Sequence, residues 1–203
     1  MSLWAIVPVK ALHESKSRLR DVLTPVERVE LSWEMLLNTL RELSELPEIE
    51  HTLVVSTDST VLALAQEQGA EALRDRGSPS LNKALTQATA AASERRAEAV
   101  LVLPADLPLL QAADVWTLIE AAQSPPSVVI SPDRKRSGTN ALLMAPPGAI
   151  KYRFGPDSFE HHVRSAEASG ARVEIIELPT LSLDLDAPED LEIYQDRIAL
   201  IKE

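Results

Sequence analysis

Strand-like and helix-like patterns take turns along this chain, and that alternation limits its fold more than any other feature. Leu3 to Val9 is a nearly unbroken apolar, β-rich run that ends in a polar loop, the pattern of a strand covered on both faces. Thr24-Pro25-Val26-Glu27 reads as a capping box with proline at the first helical position, and Val26, Val29, Trp33, Leu36 and Leu40 then recur at helical spacing to about Glu45. Thr52 to Ser56 is the next strand. Asp58 or Ser59 caps a helix that Gly69 terminates, and Glu71 to Leu73 adds a short strand. Ser80 or Asn82 opens an alanine-rich helix to about Arg96, Ala99 to Leu103 is a buried strand, and Asp106-Leu107-Pro108 leads into a helix from about Ala112 to Gln123. A strand at Ser127 to Ser131 follows, then a basic loop (Asp133-Arg134-Lys135-Arg136), a strand at Asn140 to Ala145 and a Pro/Gly loop to Pro156. Asp157 or Ser158 begins a helix ended by Gly170. Arg172 to Glu177 and Leu181 to Leu185 read as strands, and Pro188 starts the last helix.

Such alternation predicts an α/β fold: a Rossmann-like, mainly parallel sheet with helices on both faces, one antiparallel insertion around Asn140, and a single domain over residues 1–203. Ligands of such sheets sit at the carboxyl ends of the strands. Composition narrows the ligand. With 20 Lys and Arg against 31 Asp and Glu, the formal charge of -11 argues against nucleic acid or an anionic membrane surface as partner. No cysteine is present, which removes thiolate metal sites, disulfides and cysteine nucleophiles. No apolar run approaches the roughly 18 residues of a membrane helix. The positive charges follow the N-terminal apolar run, the reverse of a secretory signal, so a cytoplasmic location is expected. The 6 glycines cannot be arranged into G-x-G-x-x-G or a Walker loop. Against the acidic background, Lys10, Lys16, Arg18 and Arg20 crowd into one short loop, which suggests a small anionic ligand.

Four constellations fall at predicted strand ends. In the first, Lys10, Lys16, Ser17 and Arg18 follow the first strand; lacking glycine, this loop has to hold phosphate with side chains, unless it is an ordinary solvated loop. In the second, Asp106 stands at the tip of a buried strand, as a magnesium ligand or as the start of a turn before proline. The third is Ser182-Leu183-Asp184-Leu185-Asp186-Ala187-Pro188-Glu189-Asp190. Alternate strand residues share a face, so Asp184 and Asp186 can address one cation; helix capping accounts for part of the same acids. The fourth joins Ser137-Gly138-Thr139-Asn140 to Phe154-Gly155-Pro156-Asp157-Ser158-Phe159, a glycine loop running into a helix start, suited to an anion or serving only as an N-cap. His161 and His162 are adjacent on a helix and point in different directions, so they read as surface or helix-packing residues and not as a metal pair. Trp33 and Trp116 lie at apolar helical positions and read as core.

Taken in order, Val7-Pro8-Val9-Lys10, Lys16-Ser17-Arg18-Leu19, Val55-Ser56-Thr57-Asp58, Leu81-Asn82-x-Ala84-Leu85, Ala105-Asp106-Leu107-Pro108, Gly138-Thr139-Asn140, Gly155-x-x-Ser158-Phe159 and Asp184-x-Asp186-x-Pro188-Glu189-Asp190-Leu191 resemble the guanylyltransferases of deazaflavin coenzyme F-420 biosynthesis. These activate 2-phospholactate or phosphoenolpyruvate with GTP and are related in fold to molybdenum-cofactor guanylyltransferases. The resemblance spans Ile6 to Leu191. It implies a nucleotide-diphospho-sugar transferase-like nucleotidyltransferase fold, with GTP at Lys10, Lys16, Ser17, Arg18, Leu81 and Asn82, and the phosphorylated acid at Thr139, Gly155 and Ser158. It implies magnesium at Asp106, Asp184 and Asp186, with Lys16, Arg18 and Asp106 as the catalytic set. Ser80 stands where the family pattern has glycine, and Asn38 where it has aspartate.

The implied partners are GTP and a small phosphorylated carboxylic acid, without nucleic acid or membrane, and a homodimer is compatible with the sequence. The implied reaction is transfer of GMP from GTP to the acid's phosphate with release of pyrophosphate. Two competing readings are a metal-dependent nucleotide-sugar glycosyltransferase, with Asp184-Leu185-Asp186 as its metal motif, and a catalytically silent nucleotide-binding module.

Overall fold

A computed structural model of the chain describes residues 2–12, 16–75 and 80–201. Residues 13–15 of the basic loop and 76–79 ahead of the third helix lie outside the described set. Seven strands, β1 (Leu3–Pro8), β2 (Ile49–Ser56), β3 (Glu71–Arg74), β4 (Ala99–Val102), β5 (Ser127–Pro132), β6 (Thr139–Ala145) and β7 (Arg172–Ile175), form one sheet in the order β3-β2-β1-β4-β6-β5-β7. Only β6 runs antiparallel to its neighbours, β4 and β5. This is the expected insertion around Asn140, which starts one residue earlier.

Six α-helices cover the sheet: α1 (Pro25–Ser44), α2 (Ser59–Glu67), α3 (Leu81–Glu94), α4 (Ala112–Ala121), α5 (Ser158–Ser169) and α6 (Pro188–Ile201). Strand alternation sorts the core into two layers. Leu3, Ala5, Val7, Val54, Leu101 and Leu143 pack with α1, α2 and α4 on one face; Trp4, Ile6, Val55, Val102, Ile130 and Leu142 pack with α3 and α5 on the other. The predicted capping box forms: Glu27 N–H donates to Thr24 Oγ1 at 3.3 Å, and Thr24 N–H to Glu27 Oε2 at 2.7 Å. Asp58 caps α2 through Thr60 N–H at 2.8 Å, and Gly69, at φ 81, terminates it.

Three sequence expectations need correction. Leu181 to Leu185 is not a strand. Its backbone is taken up singly: Leu181 O accepts from Asn140 Nδ2 (2.8 Å), Ser182 O from Arg134 N–H (2.8 Å), and Leu185 N–H donates to Asp106 O (3.0 Å). The segment is held by three separate elements and has no ladder partner. Trp116 is not core but 48% exposed, because Val115, Leu118 and Ile119 form the inner face of α4; Trp33 packs partly buried against the core. Val26, expected on the inner stripe of α1, is 65% exposed, and that stripe is built from Met35, Leu36, Leu40 and Leu43.

The strand order reverses direction beside β1. The chain moves outward through β2 and β3, then returns to place β4 on the other side of β1. The loops leaving β1 and β4 therefore diverge and leave a crevice at the carboxyl ends, where open α/β sheets bind ligands. A small third cluster, in which Leu19, Met35 and Leu185 are buried with Leu191 and Tyr194 against them, fastens the loop after β1 and the 181–186 segment beside that crevice.

Candidate functional site

Lys16 and Asp106 belong to the two loops that the crevice separates, and they meet in it. Lys16 Nζ lies 3.2 Å from Asp106 Oδ2 and 3.1 Å from Asp186 Oδ1. Its side chain is 5% exposed, whereas those of Asp106 and Asp186 are 32% and 46% exposed. Burial acts against the ammonium charge, but the two carboxylates outweigh it and hold Lys16 above its ordinary pKa. Lys16 also adopts a left-handed backbone (φ 53, ψ 33), a conformation costly to a residue with a Cβ and common at working sites. Lys10, Ser17 and Arg18 are exposed.

The 181–186 segment opens on a turn and joins no sheet, yet burial alternates along it: Leu181, Leu183 and Leu185 are buried while Asp184 and Asp186 are only partly so. Burial, together with the charges of Asp106 and Asp186, pushes the Asp184 carboxyl up to about 6; its own backbone N–H and the Asn140 amide pull the other way. The capping alternative is true of Asp190, whose Oδ2 accepts from Ala187 N–H at 2.8 Å and Asp186 N–H at 3.2 Å; the Asp186 side chain is turned to Lys16.

Among the described residues no three acidic or histidine side chains stand in a ligating arrangement. The group seated between Asp106 and Asp186 is the Lys16 ammonium. Two carboxylates converge on that positive charge, with a third acid, Asp184, close enough to feel both. All-oxygen donors of this kind suit a hard divalent ion.

Beside this cluster lies a second set of groups. Thr139 and Asn140, at the start of β6, are each 5% exposed, and Ser158, at the start of α5, is 2% exposed. Asp157, the N-cap of α5, is left-handed at φ 55 and makes no side-chain cap bond, so the N-cap alternative fails for its carboxylate. Phe159 N–H donates instead to Ser137 O at 3.2 Å, tying the 137–140 loop to the helix start. Gly155 is exposed at φ 134, a backbone geometry reserved for glycine. The structure thus brings Thr139, Ser158 and Gly155 into one region. The 133–136 loop, in contrast, is largely neutralised: Arg134 pairs with Asp190 at 3.0 Å, and Arg136 pairs with Glu177 and lies over the Phe159 ring.

Asn82 stands at the start of α3. Its Nδ2 donates to Phe154 O at 3.0 Å and its Oδ1 accepts from Phe154 N–H at 2.8 Å, so the amide clamps the loop before Gly155. Leu81 beside it is 39% exposed. His162 is the residue that sequence reasoning undervalued. It is fully buried, with Nδ1 2.9 Å from Thr139 Oγ1 and Nε2 accepting from Arg153 N–H at 2.9 Å. The available signal was its spacing: four residues after Ser158, it lies on the same helix face.

Burial, with a smaller effect of His161, pushes the His162 pKa down to about 4. The unfolded chain, with an ordinary histidine, binds a proton at a higher pH than the folded one. Stability from this residue is therefore complete above about pH 6.5 and lost as pH falls toward 4. Relative to His162→Asn, the wild-type chain should lose up to about 3 kcal/mol across that window, read from urea unfolding at a series of pH values.

A concavity of about 920 Å³ lies at the opposite end of the sheet between Leu3, Pro47, Glu98 and Pro146. Among the described residues no Lys or Arg lines it, so it is unsuited to an anionic substrate.

The family model described as guanylyl transferase CofC like matches residues 3–195. The chain belongs to this family. Phosphoenolpyruvate guanylyltransferase of Rubrobacter xylanophilus is 49% identical over 94% of the chain and 92% of that protein. 2-Phospho-L-lactate guanylyltransferase of Methanothermobacter thermautotrophicus is 36% identical over 94% of the chain and 83% of that protein. Among solved structures, a putative nucleotide-diphospho-sugar transferase from Desulfovibrio desulfuricans superposes with a TM-score of 0.77 at 16% identity, covering 96% of this chain and 87% of that one, which shows the shared fold. As a member of the CofC-like family the chain is a nucleotidyltransferase of the guanylyl-transferring kind. No helix among the described residues is long and apolar enough to cross a membrane.

Proposed function

We propose that this chain transfers GMP from GTP to the phosphate of phosphoenolpyruvate and releases pyrophosphate, as a cytoplasmic step of coenzyme F-420 biosynthesis. The observation that carries the reading is the seating of a positive group between Asp106 and Asp186, in the crevice beside β1, next to a separately built set of buried hydroxyls. One region answers a polyphosphate and its counter-cation; the other answers a small anion. The 49% identical relative bears the matching name.

A phosphate oxygen of the acid attacks the α-phosphorus of GTP. A new P–O bond forms, the bond from the α-phosphorus to the bridging oxygen breaks, and its electron pair leaves with pyrophosphate. The second pKa of a phosphate monoester is about 6, so the nucleophile is already an anion at neutral pH and needs no general base. Catalysis then consists of holding two anions together. Lys10, Ser17 and Arg18 surround the triphosphate, Thr139, Gly155 and Ser158 hold the acid, and Lys16 neutralises charge between them. Asp106 and Asp186, with Asp184 beside them, would hold magnesium. When bound, that ion supplies positive charge to the triphosphate and the leaving group.

Phosphoenolpyruvate and 2-phospholactate carry the same charged groups and differ at one planar or tetrahedral carbon, which a pocket separates by only about 1–3 kcal/mol. Pyrophosphate release from GTP should therefore occur with both acids and be faster with phosphoenolpyruvate at equal concentration. A preference for 2-phospholactate overturns the choice of acid, and release with neither overturns the function. Ser158→Ala should raise the KM for the acid about tenfold and leave the KM for GTP nearly unchanged, the loss of one hydrogen bond to a charged group.

A further inference from the structure

Two parts of the acid site, the Thr139 hydroxyl and the loop that carries Gly155, touch the same buried ring. His162 Nε2 accepts the backbone N–H of Arg153 at 2.9 Å, so that nitrogen carries the lone pair and not a proton. A neutral imidazole with a free Nε2 has its proton on Nδ1, and Nδ1 lies 2.9 Å from Thr139 Oγ1. The ring therefore donates to the threonine. The reverse arrangement, with Thr139 as donor and the proton on Nε2, would set that N–H against the N–H of Arg153.

Because its oxygen already accepts from His162, the Thr139 hydroxyl has its own proton to give. No other described residue takes it. A hydroxyl held as donor is matched to an anionic oxygen of a phosphate or carboxylate. The same ring also restrains the backbone leading to Gly155. Arg153 is held by His162, and Phe154 by both ends of the Asn82 amide, so the two residues before the glycine are fixed by three hydrogen bonds from α3 and α5.

We propose that His162 is a positioning residue for the phosphorylated acid: it turns the Thr139 hydroxyl proton toward the substrate and sets the Gly155 loop against it. The proposal rests on the acid site assigned above. His162 itself touches no reacting atom and takes no part in proton transfer.

Four single substitutions, one double variant and one spectrum test this. His162→Gln keeps an acceptor for Arg153 but gives up the donor to Thr139, and His162→Asn does the opposite. His162→Gln should raise the KM for phosphoenolpyruvate about tenfold, with the KM for GTP within twofold of wild type and the melting temperature little changed. Thr139→Val should raise the same KM to a similar extent, and adding it to His162→Gln should cost little more, since both remove one interaction. Thr139→Ser, which keeps the hydroxyl, should raise that KM less than Thr139→Val does. In the wild-type chain, nitrogen NMR should show His162 neutral at pH 7 with the proton on Nδ1, and phosphoenolpyruvate should shift that resonance.

An unchanged phosphoenolpyruvate KM in both His162→Gln and His162→Asn, while Thr139→Val raises it, overturns the role of His162 and leaves the acid site standing. Parallel rises in both substrates' KM reduce His162 to a structural residue. No effect of either Thr139→Val or Ser158→Ala overturns the acid site and the inference together. A proton found on Nε2 overturns the inference even if the His162 variants fail to fold.

Discussion

Asp106→Asn should lower kcat about a thousandfold or more while the protein stays folded. The substitution keeps the shape of the side chain and removes its charge. An amide oxygen is a much weaker donor to a hard divalent cation than a carboxylate, and charge stabilisation of several kcal/mol converts to three decades or more in rate. Stability should change little. Asp106 is 32% exposed at its side chain, Lys16 keeps its contact to Asp186 at 3.1 Å, and the backbone carbonyl that accepts from Leu185 N–H is untouched. Circular dichroism and a melting temperature within a few degrees of wild type would confirm the fold. Calorimetric titration of magnesium in the presence of GTP should show weakened binding. Wild-type turnover in Asp106→Asn would remove Asp106 from the metal-binding set.

Lys16→Ala should lower kcat/KM for GTP about 10- to 100-fold, the value of one charge-assisted contact of roughly 1.5–3 kcal/mol. Arg18→Ala should cost less, because Arg18 is exposed and Lys16 is enclosed between carboxylates. The Lys16 variant carries a second signature. Its pKa is raised, so its positive charge is present throughout the range below its ordinary value of 10.5 and is lost only as pH rises through the folded pKa. Removing it leaves Asp106, Asp184 and Asp186 facing one another. The variant should therefore lose stability relative to wild type as pH rises from 5 to 8 and Asp184, pushed up to about 6, ionises, by about 1 kcal/mol, since the neighbouring Asp106 and Asp186 are a third to a half exposed and screened by water. Added magnesium should reverse part of that loss. Unfolding curves with and without magnesium at both pH values measure it, and a pH-independent difference between the proteins would show that Lys16 has no such neutralising role.

Asn82, placed by resemblance near the guanine, is bonded at both ends of its amide to Phe154 in the loop of the acid site. Thr139 is adjacent to Asn140, whose amide lies near Asp184 and donates to Leu181 O. The Asn82 amide thus ties the start of α3 to the loop before Gly155, and the Asn140 amide ties the start of β6 to the 181–186 segment.

Sequence periodicity determined the layers. A continuous apolar run such as Leu3 to Val7 can only be satisfied between two layers of helices, and the capping box at Thr24 stops and starts the chain by local hydrogen bonds alone. The motifs at the strand ends were legible for the same reason, since loops leaving a parallel sheet collect at one edge. What tertiary structure decided was every pairing between loops far apart in sequence. Lys16 lies 90 residues from Asp106 and 170 from Asp186, and only the reversal of strand order beside β1 makes them neighbours. Leu181 to Leu185 has the alternation of a strand, but whether it joins a ladder depends on a free sheet edge, and its hydrogen bonds go instead to Asn140, Arg134 and Asp106. His162 looks in sequence like one of two adjacent polar residues on a helix. Its burial, its tautomer and its hold on Thr139 come from the strand and loop packed against it, because the proton on an imidazole is placed by the partner of the other nitrogen.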